Sequence, residues 1–218
     1  MEKSIENIWK EGFLNDDKMV APKVNDLYSQ KSIDIVSKFK RMYKINVIGI
    51  VLFSFIILPM SYFSNIPYMG IMMFFLFYLI LIVNRKTIFK LNKIDNSLNS
   101  YEYLLSFKSW TDELIAVNTK FSRFLYPYVF LALSAGFWFG SIGGDIPGDI
   151  VIEKFVSKFP NTPLVFEFPL VFLGIMLVVM TFLALVGGRI GKWDFNLGYG
   201  RIMKRLKTLI NDMEELKK

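Results

Sequence analysis

The chain has no cysteine and no histidine among its 218 residues. Disulfides, thiol catalysis, haem attachment through paired cysteines, structural zinc fingers and histidine-based acid–base chemistry are therefore excluded. Charge is also missing over long stretches: residues 45–84, 124–144 and 168–188 contain no Asp, Glu, Lys or Arg. Since 21% of the residues are charged, that charge is crowded into the segments between. An ordinary soluble domain scatters its charge, so a soluble enzyme, a disordered tail and a secreted disulfide scaffold are all excluded. The composition predicts an all-α, polytopic membrane protein.

A helix needs about 20 apolar residues to cross about 30 Å of hydrocarbon. The first uncharged stretch is too long for one crossing. Pro59, Ser61, Ser64, Asn65 and Pro67 weaken its middle, and proline disfavours a continuing helix. A hairpin of two spans, about 45–62 and 67–84, is expected over one long buried helix. A third span is expected over about 123–142, with a re-entrant helix as the alternative because its apolar centre is short and ends in glycines. The fourth, about 168–188, is the most uniform. Four transmembrane helices are the expectation. The first apolar run starts near Ile45, after seven acidic residues, which reads as a retained anchor and not as a signal peptide. Glu2 and the lack of cysteine leave no acceptor for the common lipid anchors.

Lys and Arg give the orientation. Nine fall in 1–44, seven in 85–123 and eight from 189 onward, against two in 145–167 and none in 61–67. Four crossings place the three basic segments on one side, so both termini are expected in the cytoplasm. The net charge of +7 reads as an anchor against anionic lipid and not as a nucleic-acid surface. The 20 Lys against 6 Arg suggest an AT-rich bacterial source and an inner (cytoplasmic) membrane.

The charged segments carry helical periodicity. In 1–44 a short helix is expected at Ser4–Trp9, a loop over 12–23, then from about Asn25 an amphipathic helix with Leu27, Tyr28, Ile33, Val36, Phe39, Met42 and Tyr43 running into Ile45. In 85–122, Leu91, Ile94, Leu98, Tyr101 and Leu105 repeat at three and four residues, a short heptad stripe. A turn is expected near Phe107–Thr111, with Thr111 capping a return helix. In 189–218, Ile202, Leu206, Leu209 and Met213 repeat the spacing, after a glycine-rich junction through Gly200. The three stripes are each too short to hold alone. They predict a small cytoplasmic helical bundle, closed within one chain or between chains, and are the candidate bundle-packing or partner-binding residues. The outer loop 143–167 is expected to carry an interfacial helix near 149–159.

No site for chemistry stands out. There is no His-Glu-x-x-His, no Walker sequence, no nucleophile elbow and no dinucleotide fingerprint. Asp145 and Asp149 fall short of the six or more oxygen ligands that calcium takes, and adjacent Asp112 and Glu113 point apart on a helix. No ionisable residue lies inside the expected spans, which argues against proton coupling through a buried carboxylate. Ala132, Gly136 and Gly140 form a small-residue stripe for helix packing. No cofactor, metal or nucleic acid is expected. The expected partners are membrane lipid, a cytoplasmic protein and a second copy of the chain. The expected function is an integral membrane adaptor or regulator whose cytoplasmic helices bind a soluble protein or a like subunit. The alternatives are a small homo-oligomeric channel or transporter, and a lipid-acting enzyme.

Overall fold

A computed structural model describes residues 20–94, 99–141 and 143–215, with side chains from Ser29 onward. The expected helix at Ser4–Trp9 and the stripe residue Leu98 lie outside the described residues. The fold is all-helical apart from one minimal hairpin. In chain order come α1 (Val20–Phe63), α2 (Pro67–Asn92), α3 (Ser100–Phe139), α4 (Pro147–Lys158), β1 (Leu164–Val165), β2 (Phe168–Pro169) and α5 (Leu170–Glu215). Three of the helices, α1, α2 and α5, are long and apolar enough to cross a membrane.

The turn between α1 and α2 follows from its residues. Asn65 takes the left-handed conformation that asparagine tolerates, with φ 56°, and Pro67 starts the next helix where its missing N–H costs nothing. The Ile66 N–H donates to the Ser61 carbonyl at 2.9 Å and closes the turn. Side by side, the two helices run so close that a Cβ on Gly70 would strike the Ser61 hydroxyl.

Three sequence expectations are corrected, and one feature of the outer loop was not anticipated. Residues 20–23 belong to α1 and not to a loop, because a proline such as Pro22 is tolerated in a helix's first turn. There is no turn at Phe107–Thr111, which lie inside α3; α2 ends at Asn92 and α3 starts at Ser100. Asn99 caps α3 there, accepting from the Glu102 N–H at 2.9 Å. Thr111 is consequently buried mid-helix and donates back to the Lys108 carbonyl at 2.7 Å. Nor is there a junction after residue 187: α5 runs unbroken through Gly188, Gly191, Gly198 and Gly200. Glycine weakens a helix by about 1 kcal/mol, but it admits α3 here. A Cβ on Gly187 would stand 2.7 Å from the Ser122 carbonyl oxygen, and one on Gly191 would strike the Ser122 side chain. Finally, the outer loop holds a two-residue antiparallel ladder, Leu164 opposite Pro169 and Val165 opposite Phe168. Phe166 and Glu167 turn it at positive φ, a geometry usually given to Asn and Gly.

The small-residue stripe of α3 lies against α2 of the same chain. Ala132 is fully buried, a Cβ on Gly136 would meet the Met69 Cβ at 3.0 Å, and one on Gly140 would meet Ile66 at 2.3 Å. At this end α4 folds back, with Gly148 against Trp138 and the Phe155 ring tilted against Phe172 of α5, centroids 4.8 Å apart.

Candidate functional site

The main hydrophobic core sits where the helices carry charge, not where they are most apolar. Its buried cluster draws Val36, Phe39 and Tyr43 from α1, Leu91 from α2, and Leu104, Phe107, Trp110 and Leu114 from α3. From α5 come Phe195, Ile202, Leu206, Leu209 and Ile210. Of the residues singled out from sequence, Leu91, Ile202, Leu206 and Leu209 are buried in it. Ile94, Tyr101, Leu105 and Met213 are partly buried against its edge. The stripe from Leu91 to Leu105 is not one helix face, because the break after Asn92 divides it between α2 and α3. The face of α3 that enters the core is instead Tyr103, Phe107, Trp110 and Leu114, spaced four, three and four. That stripe was present in the sequence and was read two residues out of phase.

Aromatic rings organise the end of this core nearest the apolar segments. Phe39 lies 4.9 Å from Tyr199, 5.4 Å from Phe107 and 5.6 Å from Trp110, centroid to centroid. These separations suit edge-to-face and offset pairs. The polar handles are satisfied: the Trp110 indole N–H donates to the Thr87 carbonyl at 3.0 Å, and the Tyr43 hydroxyl donates to Asn84 Oδ1. Burial, with Tyr199 nearby as a smaller contribution, pushes the Tyr43 phenol well above its ordinary value. Burial raises Tyr199 as well, against a lowering from the Asn46 amide. Both remain neutral hydroxyls near pH 7. At the far end of the core, the Tyr101 hydroxyl donates to Glu214 at 3.1 Å and Lys90 pairs with Glu113, joining α3 to α5 and α2 to α3. The Lys90 and Glu113 side chains are both about half exposed, so that pair adds roughly 1 kcal/mol or less.

Directly beyond the aromatic layer, all four long helices surround a cavity of about 640 Å³. Its polar lining is Tyr43 and Asn46 of α1, Asn84 of α2, Asn118 and Ser122 of α3, and Asp194 and Tyr199 of α5. Its apolar lining includes Ile50, Ile80 and Leu125, which lie further into the uncharged stretches. Each helix thus contributes the residues at its own change from apolar to charged sequence. Nothing in the sequence singled out Asn46, Asn84, Asn118 and Asp194 as residues that would meet. A sequence gives each such residue's depth along its helix but not the rotation that turns it inward.

Among the described residues, no three acidic side chains gather as a metal site would require. The arrangement offers amides, hydroxyls and one carboxylate over an apolar floor, which suits holding a ligand. Compared with known proteins, the chain matches no family model, no curated protein and no solved structure.

Proposed function

We propose that the chain is an integral membrane adaptor. It crosses the bilayer four times, keeps both termini in the cytoplasm and presents its helical bundle to a soluble protein or a like subunit. The fourth crossing is the upper half of α3. Support comes from Phe124, Leu133, Phe137 and Phe139, which stand exposed as do Phe55, Phe75 and Leu177 on the three more apolar helices. Large apolar side chains so exposed belong against lipid or protein. The basic bias of the segments that build the bundle supports a cytoplasmic side in a bacterial inner membrane.

One observation carries the adaptor reading. α1 and α5 each run without interruption from a lipid-facing segment into the buried core of the bundle. A tilt or rotation of a span therefore displaces the bundle as a body. Since the apolar stripes face one another inside a single chain, the partner surface is the outside of the bundle. One groove there is lined by Asp34, Ile35, Lys204, Arg205 and Asp212.

The test is native mass spectrometry on protein extracted gently at its natural level, compared with Lys204→Glu/Arg205→Glu. The proposal expects a soluble protein in defined stoichiometry, lost in the variant without a change in thermal stability. A closed homo-oligomer carrying only lipid would contradict the adaptor and favour a channel.

A further inference from the structure

The boundary cavity has the equipment of a lipid headgroup site. Asn118 and Leu125 are seven residues apart on α3, about 10 Å at 1.5 Å per residue, so the lining runs from amides and a carboxylate to aliphatic side chains across the depth at which a bilayer changes from headgroup to hydrocarbon. Asn84 and Ser122 are already paired, but other polar groups of the lining are open to a ligand. Neither the Asn118 amide nor the Asp194 carboxylate has a hydrogen-bond partner among the described residues, and the Asn46 amide reaches the Tyr199 hydroxyl only at 3.4 Å. There is room: a Cβ on Gly198, in the lining, would meet nothing within 4 Å. The sign of the site is unexpected. No lysine or arginine lines it, although basic residues crowd this end of every long helix.

We propose that the cavity binds one phospholipid with a primary-amine headgroup. The ammonium donates to Asp194, the phosphate oxygens accept from the Asn118 and Asn46 amides, and the acyl chains descend along Ile50, Ile80 and Leu125. A purely anionic headgroup would meet a carboxylate with no cation in the lining to offset it. A quaternary ammonium has no N–H to donate, which leaves the Asp194 oxygens unused. The site does not depend on the adaptor reading; it needs only that this end of the helices lies at the membrane surface.

The full chain, purified in detergent and stripped of lipid, is offered phosphatidylethanolamine, phosphatidylcholine and phosphatidylglycerol in equal amounts with the same acyl chains. Bound lipid is then weighed by native mass spectrometry. The first molecule bound is expected to be phosphatidylethanolamine, favoured about fivefold or more over each of the others, as suits a charge-assisted hydrogen bond. Asp194→Asn is expected to reduce that preference to about twofold or less. Gly198→Phe, which places a ring in the open space, is expected to abolish the tightly held molecule. Both residues are exposed, and a thermal melt checks that both variants are folded. Preference for phosphatidylglycerol or phosphatidylcholine, equal binding of all three lipids, an unchanged preference in folded Asp194→Asn, or a retained phosphatidylethanolamine in folded Gly198→Phe would overturn the proposal.

Discussion

Replacing Phe39 with alanine tests whether the bundle is closed by its own chain. Phe39 is 0% exposed and has the rings of Tyr43, Phe107, Trp110 and Tyr199 between 4.9 and 6.0 Å away, on α1, α3 and α5. Truncation removes the ring's own burial and leaves a void that these neighbours cannot fill without separating helices. Phe→Ala at such sites costs about 3–5 kcal/mol, and for a chain of this length each kcal/mol lowers the melting temperature by about 2–4 °C. The expected loss is thus roughly 6–20 °C. The assay is a thermal scan in detergent followed by tryptophan fluorescence, since Trp110 lies within the cluster. Phe89→Ala is the control. Phe89 is 62% exposed at the end of α2, and its truncation is expected to move the melt by no more than about 2 °C. Equal shifts for the two variants, or a Phe39→Ala shift under about 3 °C, would refute the core as described.

Four further outcomes follow from particular positions. Gly187→Leu would drive a side chain into the α3 backbone at Ser122 and is expected to cost about 1–3 kcal/mol. Gly174→Ala, in open space, is expected to be neutral or to stabilise by up to about 1 kcal/mol in the same melt. Asn99→Ala should lose about 1 kcal/mol while Asn99→Asp keeps the cap, read by thermal scans of both variants. Tyr43 gives a pH signature. Its folded pKa is raised above the unfolded value near 10, so its contribution is fully present below pH 10. That contribution is lost above it, as the unfolded chain ionises first. Melting temperatures measured from pH 8 to 11 are expected to fall less steeply above pH 10 in Tyr43→Phe than in the unchanged chain. Parallel curves would show that Tyr43 is not held neutral.

The legible parts of the fold were those set by composition along one dimension. Uncharged stretches mark the three helices long and apolar enough to cross a membrane, and the Asn65 to Pro67 turn is written in residues with known backbone preferences. What failed depended on a third dimension. The stripe from Leu91 to Leu105 looked continuous because apolar spacing cannot report that one helix ends at Asn92 and another starts at Ser100. The Asn99-x-x-Glu102 pattern was the available sign of a new helix start. The glycines after residue 187 looked like a hinge because glycine signals flexibility in isolation. In the fold Gly188 and Gly191 are places where α3 approaches α5, while Gly198 faces open space. The cavity was hidden for a related reason, since Asn46, Asn84, Asn118 and Asp194 are far apart in sequence and share only their depth.

The central claim is that four helices cross the membrane and that the bundle they build lies on the cytoplasmic side. The chain has no native cysteine, so single cysteines can report on it directly. Ser37→Cys in α1, Ser157→Cys in α4 and Thr208→Cys in α5 are each labelled in intact cells with a membrane-impermeant maleimide, then again after permeabilisation. The account predicts labelling of Ser157→Cys in intact cells, and of Ser37→Cys and Thr208→Cys only once the membrane is opened. Labelling of Thr208→Cys from outside, or protection of Ser157→Cys, would mean that α3 does not cross and would contradict the account.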